Sequence, residues 1–76
     1  MEEILKTIIE SLVENTAEVS ITSKEEENNI TFEVKVAESD MGRVIGRQGK
    51  MAKSIRTVMK SVASRENKKV QVEFIG

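Results

Sequence analysis

Residues 43–56 read RVIGRQGKMAKSIR, and the fold turns on how this stretch is read. Two of the chain's four glycines, Gly46 and Gly49, stand three apart in it and lead directly into a basic amphipathic segment. Glycine at such a corner lets the backbone take φ > 0 and lets a bulky group approach the main chain. The opening N–H groups of a helix have no internal partner and carry partial positive charge, so a helix beginning here offers a place for an anion. Phosphate is the natural candidate, and the rest of the sequence must say what carries it.

Downstream of the corner, Met51, Ala52, Ile55, Val58, Met59 and Val62 recur at helical spacing and are read as one buried face. At 3.6 residues per turn, Lys50, Lys53 and Lys60 form a separate stripe well round from it. Arg65, Asn67, Lys68 and Lys69 mark the end of that helix. Val70, Val72 and Phe74 then alternate with Gln71 and Glu73 as a strand. Upstream, Met41–Ile45 is long enough for only a turn or two of helix, with Ser39 or Asp40 to cap its start and Gly46 just past its end.

Farther toward the N-terminus the period changes to two. Ile30, Phe32, Val34 and Val36 alternate with polar residues, and so do Ala17, Val19 and Ile21. The polar run Glu25-Glu26-Glu27-Asn28-Asn29 between them reads as a hairpin connection, its paired asparagines suited to left-handed turn conformations. Adjacent glutamates on a loop diverge, so a solvated hairpin tip is a better account of them than a metal site. The first element is a helix: Ile4, Leu5, Ile8, Ile9, Leu12 and Val13 form an apolar stripe, Glu2 and Glu3 suit its first turn, and Asn15-Thr16 should end it. The expected fold class is α+β, in the order α-β-β-α-α-β, with helices packed on one face of a three-stranded sheet. Residues 1–76 are read as a single domain with a thin core.

Composition removes several chemistries. With no cysteine and no histidine, the chain offers no disulfide, no thiolate or imidazole metal ligand and no Ser–His or Cys–His nucleophile pair. No metal, cofactor or catalytic residue is expected, and the reading is of a protein that is not an enzyme. No apolar run approaches the roughly 20 residues that span a bilayer, and the first residues are acidic, so a cytoplasmic protein without membrane insertion is expected. With neither Trp nor Tyr, a sheet-based aromatic platform for stacking bases is missing.

Charge is strongly divided. Residues 1–40 carry three lysines against eleven acidic residues, a net of −8, whereas residues 41–76 carry nine basic against two acidic residues, a net of +7. Between Met41 and Arg65 lie seven basic residues and no acidic one, which suggests a face for a polyanion. The corner itself fails two nucleotide motifs. A P-loop needs a glycine where Val44 stands and Ser or Thr where Met51 stands, and Gly42, Gly46 and Gly49 lack the spacing of a dinucleotide fingerprint. A helix, G-x-x-G, helix unit remains, which fits a DNA-reading helix-turn-helix, a nucleic-acid backbone clamp or a structural corner. Basic residues in and after it, apolar residues before it and a hairpin upstream favour the clamp.

Val44-Ile45-Gly46-Arg47-Gln48-Gly49-Lys50, running on to Ile55, resembles the I-G-x-x-G signature of KH domains, and the element order resembles the bacterial type II KH arrangement. Length and wording, notably GRVIGRQGK followed by SIRTVMKSV, are similar to the small single-KH proteins of the KhpA (YlqC) family. The resemblance spans essentially the whole chain. It implies binding of single-stranded RNA in the bacterial cytoplasm, homodimerisation, pairing with a KhpB (Jag/EloR)-type RNA-binding protein, and a role as RNA chaperone or post-transcriptional regulator linked to cell elongation, cell shape and the cell envelope. On these residues, Gly46 and Gly49 would let the sugar-phosphate backbone press close, Arg47 and Lys50 would pair with phosphates, and Gln48 would add a hydrogen bond. Lys53 would extend the phosphate track, while Ile45 and the edge of the second strand would line a base groove. The alternative is a dimerisation or docking module in which RNA binding is secondary.

Overall fold

The computed structural model describes residues 1–75. Helix α1 covers Glu2–Leu12, strand β1 Ser20–Glu26, strand β2 Asn29–Lys35, helix α2 Met41–Ile45, helix α3 Lys50–Arg65 and strand β3 Lys69–Ile75. Short 3-10 turns at Thr16–Glu18, Glu38–Asp40 and Arg47–Gly49 link them. The expected α-β-β-α-α-β order and the α+β class are observed.

The sheet order is β1-β2-β3, with β1 antiparallel and β3 parallel to β2. Parallel neighbours need a crossover, and the two helices α2 and α3 supply it. Ile30, Phe32 and Val34 of β2 and Val70 and Val72 of β3 are buried, while their alternates are exposed or half-buried. The helices close this face through Leu5 and Ile9 of α1, Val44 of α2, and Ile55, Met59 and Ala63 of α3.

Several boundaries and faces depart from the sequence reading, each for a physical reason. Ala17 is exposed in a 3-10 turn, so β1 begins three residues later and runs through Glu25 and Glu26. The turn shrinks to Glu27-Asn28, and the left-handed residue is Glu27 at φ 51, not an asparagine. β1 is an edge strand with only Ile21 half-buried, so its pairing with β2 rather than an apolar alternation defines it. α1 ends at Leu12, and its apolar stripe is wider than its contact face, leaving Ile4 43 % exposed. On α3 the buried line is Ala52, Ile55, Met59 and Ala63; Met51 is 37 % and Val58 45 % exposed, and Val62 is half-buried. Seven residues apart, Met51 and Val58 occupy one flank that neither the narrow sheet nor α1 covers.

The end of α3 was legible. Asn67 takes φ 57 just beyond it, Lys68 N–H donates to Ala63 O at 2.9 Å and Asn67 N–H to Ser64 O at 3.1 Å. This is a Schellman closure, with asparagine in the left-handed position that glycine usually fills.

Candidate nucleic-acid interface

The site is built where α2 stops. Gly46 N–H donates to Gly42 O at 2.9 Å, and Gly46 takes φ 77, ψ 174, a region essentially reserved for glycine. A Cβ on Gly46 would lie 2.6 Å from Met51 Cβ and 2.7 Å from Met51 N, so the position also lacks room for any side chain. The chain then makes one 3-10 turn. Gln48 sits at φ 57, ψ 26 and Gly49 at φ 76, ψ 11, with Gly49 N–H donating to Gly46 O at 3.2 Å and Lys50 N–H to Arg47 O. A Cβ on Gly49 meets nothing within 4 Å, so only its positive φ calls for glycine. The turn therefore consumes the Gly49 and Lys50 N–H groups itself, and the cationic side chains supply much of what it offers an anion.

Those side chains are free. Arg47 and Gln48 are exposed at the tip, Lys50 and Lys53 are exposed on the first turns of α3, and Ile45 is half-buried at the end of α2 against the core. Among the described residues, the ion pairs are Arg43 with Glu14, Arg43 with Asp40, and Lys68 with Glu25. Arg47, Lys50, Lys53, Arg56 and Lys60 thus keep their charge unneutralised by any carboxylate within bonding distance.

The side-chain cap expected from Ser39 or Asp40 at the start of α2 is not formed. Asp40 stands just before α2. The carboxylate is buried and turns back to α1, accepting the N–H of Glu14 at 3.2 Å and of Asn15 at 3.1 Å. Arg43 of α2 bonds Glu14 Oε1 at 2.7 Å and approaches Asp40 at 3.5 Å. The Asn15 backbone N–H holds the Asp40 carboxyl below its ordinary value, opposed by burial and helped by the Glu14 N–H and Arg43. The chain after α1 is thereby fastened to the helix that ends in the glycine turn.

The second strand does not offer the edge that the sequence reading gave it. β2 is the central strand and has no free edge. The open channel runs instead between α3 and the free edge of β3. One cavity of about 270 Å³ is bordered by Arg56, Lys60, Gln71, Val72 and Glu73. A second, of about 520 Å³, continues from it through Lys60 and Val70 to Ile30, Lys68 and Lys69. Neither is lined by any residue of Gly46–Lys50, so the turn and the channel are separate features. Lys68 is held by its hydrogen bond to Glu25, which raises its pKa. Arg56 stood unassigned inside the decisive stretch. Its signal was angular: three residues past Lys53, it is turned from the lysine stripe toward the buried line.

The sequence profile of the family described as "KhpA/KhpB, KH domain" matches residues 2–74. The chain is 51 % identical over 75 residues to the RNA-binding protein KhpA of Clostridium acetobutylicum, covering 99 % of this chain and 100 % of that protein. It is 43 % identical over 75 residues to RNA-binding protein KhpA of Listeria monocytogenes, covering 99 % of each. The protein of the same name from Chlamydia trachomatis is 41 % identical over 75 residues, covering 99 % of this chain and 96 % of that one.

Proposed function

The chain belongs to the KhpA/KhpB family of KH domains, and from that premise we propose that it binds single-stranded RNA through the Gly46–Lys50 turn. Arg47 and Lys50 pair with consecutive phosphates, Gln48 adds a hydrogen bond, and Lys53 carries the track along α3. Gly46 and Gly49 let the sugar-phosphate backbone lie against the turn, and Ile45 contributes apolar surface beside it. Bases then enter the channel between α3 and the edge of β3, as KH turns hold about four nucleotides. The observation that carries this reading is the set of exposed, unpaired cations on a turn whose backbone is fixed by Gly46, Gln48 and Gly49 at positive φ.

Few contacts give modest affinity, and linking two modules raises it through effective concentration. We therefore include in the proposal a homodimer, or pairing with a KhpB-type RNA-binding protein, acting in the bacterial cytoplasm as an RNA chaperone or post-transcriptional regulator. The exposed flank of Met51 and Val58 on α3 favours such an association. The same flank supports the second reading, a docking module in cell elongation and envelope control with RNA secondary. Among the described residues, no helix is long and apolar enough to cross a membrane.

The test replaces Arg47 and Gln48 together by Asp. Both side chains are exposed, so the far-ultraviolet circular dichroism spectrum should not change. Binding to a single-stranded RNA should disappear, and that of the unaltered protein should weaken steeply with salt. Retained binding by the double variant would refute the clamp.

A further inference from the structure

Arg56 is the basic residue of α3 to which the phosphate clamp gives no task. Its Nε donates to the Val72 carbonyl at 3.0 Å, and its guanidinium carbon stands 5.4 Å from the centre of the Phe74 ring. Among the described residues, its terminal nitrogens donate to no protein acceptor. The side chain borders the cavity of about 270 Å³ beside the β3 edge.

Sheet register determines what this contact does. Lys69 N–H donates to Asn28 O at 2.7 Å, with Lys69 opposite Asn29. In a parallel ladder, a residue that turns its N–H to the neighbouring strand turns its C=O the same way, and the next residue turns both away. Lys69, Gln71, Glu73 and Ile75 therefore face β2, whereas Val70, Val72 and Phe74 present N–H and C=O at the free edge. An open edge of this kind shows a donor and an acceptor side by side. That pair matches adenine, which offers an amino donor next to a ring-nitrogen acceptor. At Val72 the acceptor is already taken by Arg56.

We propose that Arg56 is a specificity-determining residue of the groove, selecting bases by their acceptors. With the Val72 carbonyl sealed, this part of the edge keeps the Val72 N–H and gains the terminal N–H donors of a guanidinium held 5.4 Å from the centre of the Phe74 ring. At Val72 the edge is then rich in donors, and side-chain acceptors remain only in the neighbouring Gln71 and Glu73, which also border the cavity. Cytosine, with O2 and N3 adjacent, fits it. Adenine offers a single ring acceptor beside its amino group, and in uracil the N3–H stands between the two carbonyl acceptors; guanine, through O6 and N7, is the one competing base with adjacent acceptors. The inference rests on the single-stranded RNA reading above and adds the residue that chooses the base.

The test measures binding of oligo(C), oligo(A) and oligo(U) of equal length to the full chain, to Arg56→Met, to Arg56→Lys and to the Arg47→Asp/Gln48→Asp variant. The unaltered protein should hold oligo(C) about tenfold more tightly than oligo(A) or oligo(U), the scale of one good bidentate contact. Arg56→Met should bring the three close to parity by weakening oligo(C) and freeing the Val72 carbonyl for oligo(A). Arg56→Lys keeps the charge, so its salt dependence should match the parent while the preference for oligo(C) is lost; it also stands in if the Met variant fails to fold. An unaltered protein that does not favour oligo(C) overturns the proposal. So does an Arg56 variant whose ranking is unchanged while the Arg47/Gln48 variant binds nothing, a result that leaves the clamp standing. If the unaltered protein binds none of the three, the RNA reading fails and the proposal falls with it.

Discussion

Replacing Gly46 by Ala tests the backbone of the turn directly, because the two glycines differ in what they demand. Gly46 lies at φ 77, ψ 174, where a Cβ costs about 1–3 kcal/mol in backbone strain alone. That Cβ would also sit 2.6 Å from Met51 Cβ and 2.7 Å from Met51 N. Part of the obstruction is main chain at the start of α3, so relief requires moving the helix and costs a further ~1–3 kcal/mol. Gly49, at φ 76, ψ 11, needs only left-handed backbone, about 1–2 kcal/mol for Ala, and has open space around it. Loss of glycine's unfolded-state freedom returns about 0.4–1 kcal/mol in each case. The net expectation is a loss of about 2–5 kcal/mol for Gly46→Ala and about 1 kcal/mol for Gly49→Ala. A 76-residue domain has a stability of roughly 4–11 kcal/mol, so the first change takes a large share of it. With a urea m-value near the low end for small domains, about 1 kcal/mol per molar, the midpoint should drop by about 2–5 M for Gly46→Ala and about 1 M for Gly49→Ala. Urea titration followed by circular dichroism reads both. Equal midpoints, or a Gly49 variant weaker than the Gly46 one, would refute the claim that the two glycines serve different ends.

Asp40 gives a pH prediction. Its carboxyl is held below the ordinary value of 3.8, chiefly by the Asn15 N–H, so its contribution to stability is complete above that value and is lost as pH falls through the lower folded one. Asp40→Asn should lower the urea midpoint at pH 7, and the gap to the parent protein should close below about pH 4; a gap that persists undiminished at pH 2 would contradict the assignment. The flank of α3 gives another. Val58→Lys should leave the fold intact while shifting the species seen by light scattering toward monomer, and an unchanged mass would remove Val58 from any interface.

Much of the fold was written in periodicity wherever apolar pattern and burial coincide. Ile30, Phe32 and Val34 alternate because β2 lies at the centre of the sheet, and Leu5 and Ile9 mark the face of α1 that meets the core. β1 was read from the alternation of Ala17, Val19 and Ile21 and so placed three residues too early, because an edge strand with one half-buried side chain shows little apolar alternation of its own. The extent of the α3 face was overstated for a related reason: helical spacing says which residues share a side but not how wide a partner covers it, and Met51 and Val58 lie beyond the cover. The true role of Asp40, which the sequence offers beside Ser39 only as a candidate local cap, is hidden because its N–H donors are 25 and 26 residues away in the chain. The turn at Gly46–Gly49 was legible from its own residues, whereas the groove beside it depends on strand order. Alternation cannot reveal that β3 lies outside β2, and so neither the channel nor the place of Arg56 on Val72 could be read without the sheet.

The parallel pairing of β3 with β2 also bears on the order in which the molecule assembles. Glu26 and Asn29 close the hairpin across a two-residue turn, whereas Lys69 must find Asn29 across the whole crossover. Local closure is fast, on the order of microseconds for a hairpin, and distant pairing is slower because its loop entropy is spent before contacts reward it. On these grounds the hairpin is expected to form early in this chain and β3 to dock late. The channel between α3 and β3 exists only once that last strand has arrived, so a partial opening that releases β3 erases the channel while sparing the hairpin. Any ligand seated there draws on the free energy of this final step and protects the most recently formed strand from exchange with solvent.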